Sequence, residues 1–163
     1  MTEPIRIRML AATDTAGVEH VLETSGLFPP DLLGPMVAPY LDGTAQDIWL
    51  VATRANTVVG FAYAAPERMT EGTWNMLAIA VDEVAQGQGI GRQIVAHLEQ
   101  ILLEQKQRLL LVETSGLADF DATRRFYRTL GYAEVARIPD FYQAGEDKQI
   151  FCKALPGRKG EAG

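Results

Sequence analysis

Hydrophobic and polar positions alternate in some stretches of the chain and recur at helical spacing in others. Ile5, Ile7 and Met9 alternate with Arg6 and Arg8, which predicts a strand. A helix capped by Thr13 or Asp14 carries Val18, Val21 and Leu22 and stops near Gly26. A second helix opens at Asp31, with Leu32, Leu33, Met36, Val37 and Tyr40 on its apolar side, although Pro35 and Pro39 argue against a long run. Residues 48–52 and 57–64 read as two strands joined by the polar turn Arg54-Ala55-Asn56, and residues 73–81 as a third strand, buried through Met76–Val81. Ile90, Ile94, Val95, Leu98, Ile101 and Leu102 then follow helical spacing.

Residues 108–113 read as a strand with the continuous apolar run Leu109–Val112, as expected of a central position. Asp119 or Asp121 is placed to cap the next helix, in which Ala122, Phe126 and Leu130 fall one turn apart and Gly131 ends the run. Residues 132–138 and 148–155 close the chain as two strands around a loop containing Gly145. The order βααβββαβαββ predicts a mixed α/β (α+β) fold, with helices on the faces of a sheet. Residues 1–155 read as one domain and 156–163 as a mobile tail, since that tail has no apolar residue larger than alanine.

Composition narrows the function. The formal net charge of −6 disfavours a nucleic-acid partner. The single cysteine, Cys152, rules out an internal disulfide or a cysteine-cluster metal site, and two distant histidines, His20 and His97, give no histidine-rich metal site. Cys152 reads as a small buried residue and His97 as an ordinary half-buried histidine. The sequence shows no apolar stretch near the roughly 18 residues of a membrane span and no signal peptide, so a cytoplasmic protein off the membrane is expected.

The informative segment is Gln86-Gly87-Gln88-Gly89-Ile90-Gly91-Arg92, between a strand and a helix. The first turn of a helix has unpaired N–H groups and a partial positive charge, and glycine lets the backbone approach a ligand, so the segment can cradle a phosphate. The dinucleotide pattern G-x-G-x-x-G fails because the third glycine comes one residue early, and the P-loop fails because no Lys-Ser/Thr follows. The pattern Gln/Arg-x-x-Gly-x-Gly/Ala fits in full. A glycine turn with no ligand remains the plain alternative.

Residues Leu77-Ala78-Ile79-Ala80-Val81-Asp82, the turn, and Phe126-Tyr127-Arg128-Thr129-Leu130-Gly131-Tyr132 together resemble the GNAT superfamily of acyl-CoA-dependent N-acetyltransferases. The resemblance covers about residues 5–155. It implies a central, mostly antiparallel mixed sheet with splayed central strands, and acetyl-CoA as acyl donor with no metal. Its diphosphate would lie on the amides of Gln86, Gly87, Gln88, Gly89, Ile90 and Gly91, flanked by Arg92. The strand backbone at Ile79 and Val81 would pair with the pantetheine arm, and the Ile79 N–H would meet the oxyanion.

The resemblance also places Tyr127 near the CoA sulfur as the acid for the departing thiolate; a packed core tyrosine is the alternative. Glu113, at the end of its strand, is the candidate base, set against a solvated strand end or a carboxylate hydrogen-bonded to nearby backbone. Phe120 and Thr123 stand where the family often carries an Asn and an Ala. Glu67 and Asn75 are further cleft candidates, and Asp121 suits a helix cap better than a site. Phe28, Trp74, Phe141 and Tyr142 are candidate walls of an acceptor pocket, with Asp140, Glu146 and Asp147 as nearby negative charge.

The expected reaction is direct transfer to a small-molecule or peptide amine in a ternary complex. The rival reading is a non-catalytic acyl-CoA-binding module. A homodimer through an exposed edge strand is left open.

Overall fold

The computed structural model describes residues 3–156. The strands are β1 (Ile5–Met9), β2 (Ile48–Arg54), β3 (Thr57–Pro66), β4 (Thr73–Val81), β5 (Leu109–Ser115), β6 (Ala133–Gln143) and β7 (Glu146–Ala154). The helices are α1 (Thr15–Ser25), α2 (Leu33–Leu41), α3 (Ile90–Glu104) and α4 (Asp121–Thr129), with four short 3-10 turns besides. The strands form one mixed sheet in the order β1-β2-β3-β4-β5-β7-β6. β1/β2, β2/β3, β5/β7 and β6/β7 pair antiparallel, and β4/β5 pair in parallel from Thr73↔Leu109 to Met76↔Val112. The mixed sheet with flanking helices is the predicted architecture. No helix of the described residues is long and apolar enough to cross a membrane.

The described chain falls into two compact units, residues 3–66 with 77–101 and residues 67–76 with 102–156. In the first, Val18, Val21 and Leu22 of α1 and Leu33 and Val37 of α2 pack with Trp49, Val51, Val58, Phe61, Ala78 and Ala80 of the strands. Trp49 stacks on Tyr63 with ring centroids 4.2 Å apart. β2 and β3 are joined by a two-residue turn in which Ala55 and Asn56 both have positive φ, the tight hairpin geometry. Gly60 of β3 is a close approach: a Cβ there would stand 3.1 Å from Ala80 O and 3.2 Å from Ile94 Cδ1 of α3.

In the second unit, Leu110, Val112, Tyr127, Tyr132 and Phe151 are buried. Trp74 is also buried, 5% exposed, with its Nε1 donating to Gln107 Oε1 at 2.9 Å.

Several local expectations change. Asp14 stands at the N-cap position of α1, but its carboxylate turns back to accept from Ala11 N at 2.7 Å and from the Arg8 guanidinium. Asp31 lies in a 3-10 turn, Pro30–Leu32, that precedes α2. Asp121 is the first residue of α4 rather than its cap, and it pairs with Arg124. The buried face of α4 is made by Arg124 and Tyr127, whereas Ala122 is exposed.

The final hairpin is longer than predicted, closing on Ala144-Gly145. Phe141 and Tyr142 therefore lie in β6 itself, beyond an irregularity in register after Ile138. The predicted tail beyond Pro156 lies outside the described residues.

Candidate functional site

The glycine turn belongs to the first unit and is anchored from below. At the end of β4, Asp82 N donates to Val59 O at 2.8 Å. The buried Asp82 carboxylate accepts from Val84 N at 3.3 Å and Thr24 Oγ1 at 3.2 Å, and lies 3.3 Å from His20 Nε2. Gln86 Nε2 donates to Val81 O at 3.0 Å, and Arg54 Nη2 donates to Gln88 Oε1 at 2.9 Å. These bonds use side chains, so the main chain of the turn is spared. Among the described residues no group accepts from the N–H of Gly87 or Gly89.

Gly87 has φ +78° and Gly89 φ +81°, and a Cβ at either would meet open space. Backbone strain, not crowding, is what requires glycine at these two positions. Alternation of left-handed residues with ordinary ones turns successive N–H groups toward a common concavity, which binds anions. α3 begins at Ile90 and adds the unpaired N–H groups of its first turn. Gln86, Gly87, Gln88, Gly89 and Arg92 are exposed, Gly91 is half-buried and the Ile90 side chain is buried.

β4 leads into this turn with one face open. Met76, Ala78 and Ala80 are buried, but Leu77 is 52% exposed and Ile79 and Val81 are half-buried. The strand is therefore not buried throughout Met76–Val81, as its apolar run suggested. An open row of apolar side chains beside an anion cradle fits a ligand with an apolar arm and a phosphate end.

The second unit holds the remaining candidates. Tyr127 is 5% exposed, with ring centroids 6.0 Å from Tyr132 and 6.3 Å from Phe151. Burial pushes its phenol up to about 12. Glu113 carries two partners: Lys148 Nζ lies 2.9 Å from its Oε1, and Asn75 Nδ2 donates to its Oε2 at 3.1 Å. It is thus an ion-paired carboxylate rather than a solvated strand end. Asn75 Nδ2 also donates to Glu67 Oε2 at 2.9 Å.

The Tyr142 phenol is raised by burial and by the charges of Glu113 and Glu146. Asp140 and Asp147 serve the hairpin: Asp140 Oδ1 accepts from Gly145 N and Asp147 Oδ1 from Asp140 N. Trp74 and Phe28 go to packing, Phe28 against the first unit's core. His97 is half-buried. Cys152 is half-buried rather than buried, and burial raises its thiol.

Two residues with structural work were not singled out from sequence. Arg124 donates to Ser115 O at 2.5 Å from a buried position on α4. Lys148 neutralises Glu113. A cation inside an amphipathic helix face was the available signal for the first. The second pairs across a register that the sequence does not display.

A glycine cradle at the β4–α3 junction of a mixed sheet can hold an anionic ligand. The family model described as the acetyltransferase (GNAT) domain matches residues 45–134. An uncharacterised N-acetyltransferase of Methanocaldococcus jannaschii is 29% identical over 110 residues, 68% of each chain. A GNAT-family structure from Desulfovibrio desulfuricans is 31% identical with a TM-score of 0.87, over 93% of this chain and 99% of its own. A Salmonella typhimurium structure with its cofactor acetyl-CoA shares the fold at TM-score 0.76 and 18% identity, over 97% of this chain and 98% of its own. The chain belongs to the GNAT family of acetyltransferases and is an acyltransferase.

Proposed function

We propose that the protein transfers the acetyl group of acetyl-CoA to a primary amine of a small molecule or peptide, by direct attack in a ternary complex. The observation that carries this reading is the open cradle at Gly87 and Gly89, whose unpaired amides suit a diphosphate. Gln86 to Gly91 would hold that diphosphate, with Arg92 flanking it, and the Ile79 and Val81 main chain would line the pantetheine arm. Acetyl-CoA supplies the acyl thioester.

The amine must lose a proton before its lone pair forms the C–N bond, and the C–S bond then breaks to release a thiolate. The Ile79 N–H is assigned to the developing oxyanion. Tyr127 is assigned to the sulfur. A phenol held near 12 stays protonated throughout the neutral range, so it serves the thiolate as a hydrogen-bond donor. Glu113 acts on the amine side, together with the groups bonded to it.

The test is release of free thiol from acetyl-CoA in the presence of an amine panel, alongside calorimetry with CoA. Tyr127→Phe should lower kcat about 100-fold and leave CoA affinity unchanged. Parallel lines in the steady-state kinetics, with an acylated protein isolated, would replace direct attack by a covalent route. CoA binding without turnover on any amine would favour a binding module.

A further inference from the structure

The entry to the glycine turn is fastened to α1 at one carboxylate. Asp82 follows β4 and caps the 3-10 turn Glu83–Ala85, which runs straight into Gln86 and Gly87. Its side chain is buried, and both of its oxygens are engaged from α1. Oδ1 accepts from Thr24 Oγ1 at 3.2 Å and from Val84 N at 3.3 Å, and Oδ2 lies 3.3 Å from His20 Nε2. The Thr24 hydroxyl in turn accepts from Glu83 N at 3.3 Å. His20 and Thr24 are one helical turn apart and share a face of α1. Thr24 and Asp82 thus hold the first two amides of the 3-10 turn, and His20 holds the carboxylate that carries one of them.

The charges here do not balance without His20. Among the described residues no Lys or Arg lies within ion-pair distance of Asp82, and the basic group that does is the imidazole. The charged groups around that ring are acids. Glu23 Oε1 lies 4.0 Å from Nδ1, Glu19 precedes the histidine on the same helix, and Glu83 comes from the 3-10 turn. β3 and α2, which also pack on α1, carry no charged residue. The 3-10 turns Ala12–Asp14 and Pro30–Leu32 bring only Asp14, held by Arg8, and Asp31. A neutral imidazole has one hydrogen, on either nitrogen, whereas a protonated ring donates from both, so only the charged ring always donates to Asp82 from Nε2. The charged ring also offsets a buried negative charge just ahead of a turn shaped for anions.

We infer that His20 is a positioning residue for the acyl donor: protonating its ring locks Asp82 and offsets that charge, so the glycine turn holds a diphosphate more tightly with the ring charged than neutral. This rests on the acetyl-transfer reading and adds a pH dependence to the donor's affinity. Histidine changes charge between about pH 5 and 8, so the affinity falls as pH rises through that range. The His20 side chain is 58% exposed. Solvent screening at such a site limits the effect to about threefold.

The test is calorimetry of CoA binding to the full chain at about pH 5.5 and about pH 8, across most of the histidine range. It compares wild type with His20→Gln, which keeps an N–H donor without the charge, and with His20→Lys, which keeps the charge at both pH values. The 3′-phosphate of CoA titrates near pH 6 in every sample alike, so the readout is the difference between proteins. Wild type should lose about threefold more affinity than His20→Gln on going to the higher pH, and His20→Lys should bind about threefold more tightly than wild type there. A brace without a charge role would weaken His20→Gln equally at both pH values. The site is exposed, and urea midpoints at each pH check that both variants fold. Matching pH profiles in wild type and His20→Gln, or a His20→Lys no tighter than wild type at the higher pH, overturn the inference while CoA binding stands. No CoA binding by the wild type at either pH sinks the acetyl-transfer reading, and this inference with it.

Discussion

Lys148 holds Glu113 across the β5/β7 pair, with Nζ 2.9 Å from Oε1 and 3.8 Å from the centroid of the Phe141 ring. The two side chains are only 14% and 26% exposed, so this pair lies between a solvated surface bridge and a buried one. Lys148→Met should therefore cost about 1–2 kcal/mol, measured as a lower urea midpoint at neutral pH. An unchanged midpoint would mean that the pair contributes nothing to the fold.

Gly89 sits at φ +81° with open space where a Cβ would go. Gly89→Ala meets no clash and bears only the left-handed backbone cost of about 1–2 kcal/mol. Urea unfolding should report that loss. If the turn holds a diphosphate, Gly89→Val should weaken CoA binding by about tenfold or more in calorimetry, since a branched side chain would stand over the cradle.

The Tyr127 phenol has its folded-state value raised to about 12, against about 10 when unfolded. A raised value gives stability that is fully present below pH 10 and is lost as pH rises toward 12. Urea midpoints should hold steady up to about pH 10 and then fall. In Tyr127→Phe the fall should be shallower, though not absent, because burial also raises Tyr40, Tyr63 and Tyr142. Phenolate absorbance recorded over the same range assigns the titration.

At the acid end, the Arg8 hydrogen bonds hold the Asp14 carboxyl below its ordinary value, aided by Ala11 N–H. A lowered value gives stability that is present above the unfolded value near 3.9 and is lost as pH falls through the folded one. Asp14→Asn should cost about 1 kcal/mol at pH 7, discounted because Arg8 is 48% exposed, and nothing at the lowest pH. Thermal unfolding at a series of pH values below 7 checks the sign.

Elements governed by local rules could be read from sequence. The helical spacing from Ile90 to Leu102, the stops at Gly26 and Gly131, and the three strands around the β2–β3 turn all rest on contacts within a few residues. The final hairpin could be read as two strands, but its length could not. Asp140 takes a positive φ, its carboxylate accepts from Gly145 N of the two-residue turn, and the Asp147 carboxylate accepts from Asp140 N within β6. Those acids looked like loop charge, so β6 seemed to end too soon. On α4 the hydrophobic pattern pointed at Phe126 and Ala122, but Arg124 is drawn inward by Ser115 O nine residues away.

The candidate site divides in the same way. The glycine turn is contiguous, and its pattern was visible in the sequence. Asn75 and Glu113 are 38 residues apart and meet only because β4 and β5 pair in parallel. Lys148 joins them only through the β5/β7 register. Residue types could nominate Glu67, Asn75 and Glu113, but not show that one amide links two acids while a lysine neutralises just one of them.

At residue 60, α3 is seated directly on bare main chain, with Ile94 and Ala80 O closing over the spot where a side chain would begin. The depth of that seat is set by a hydrogen atom. A single methyl group there would press on Ala80 O of β4 and on the tip of the Ile94 side chain of α3, and one of them would have to give by a few tenths of an ångström. Residue 60 therefore couples the packing of β3 to the strand and the helix that flank the glycine turn.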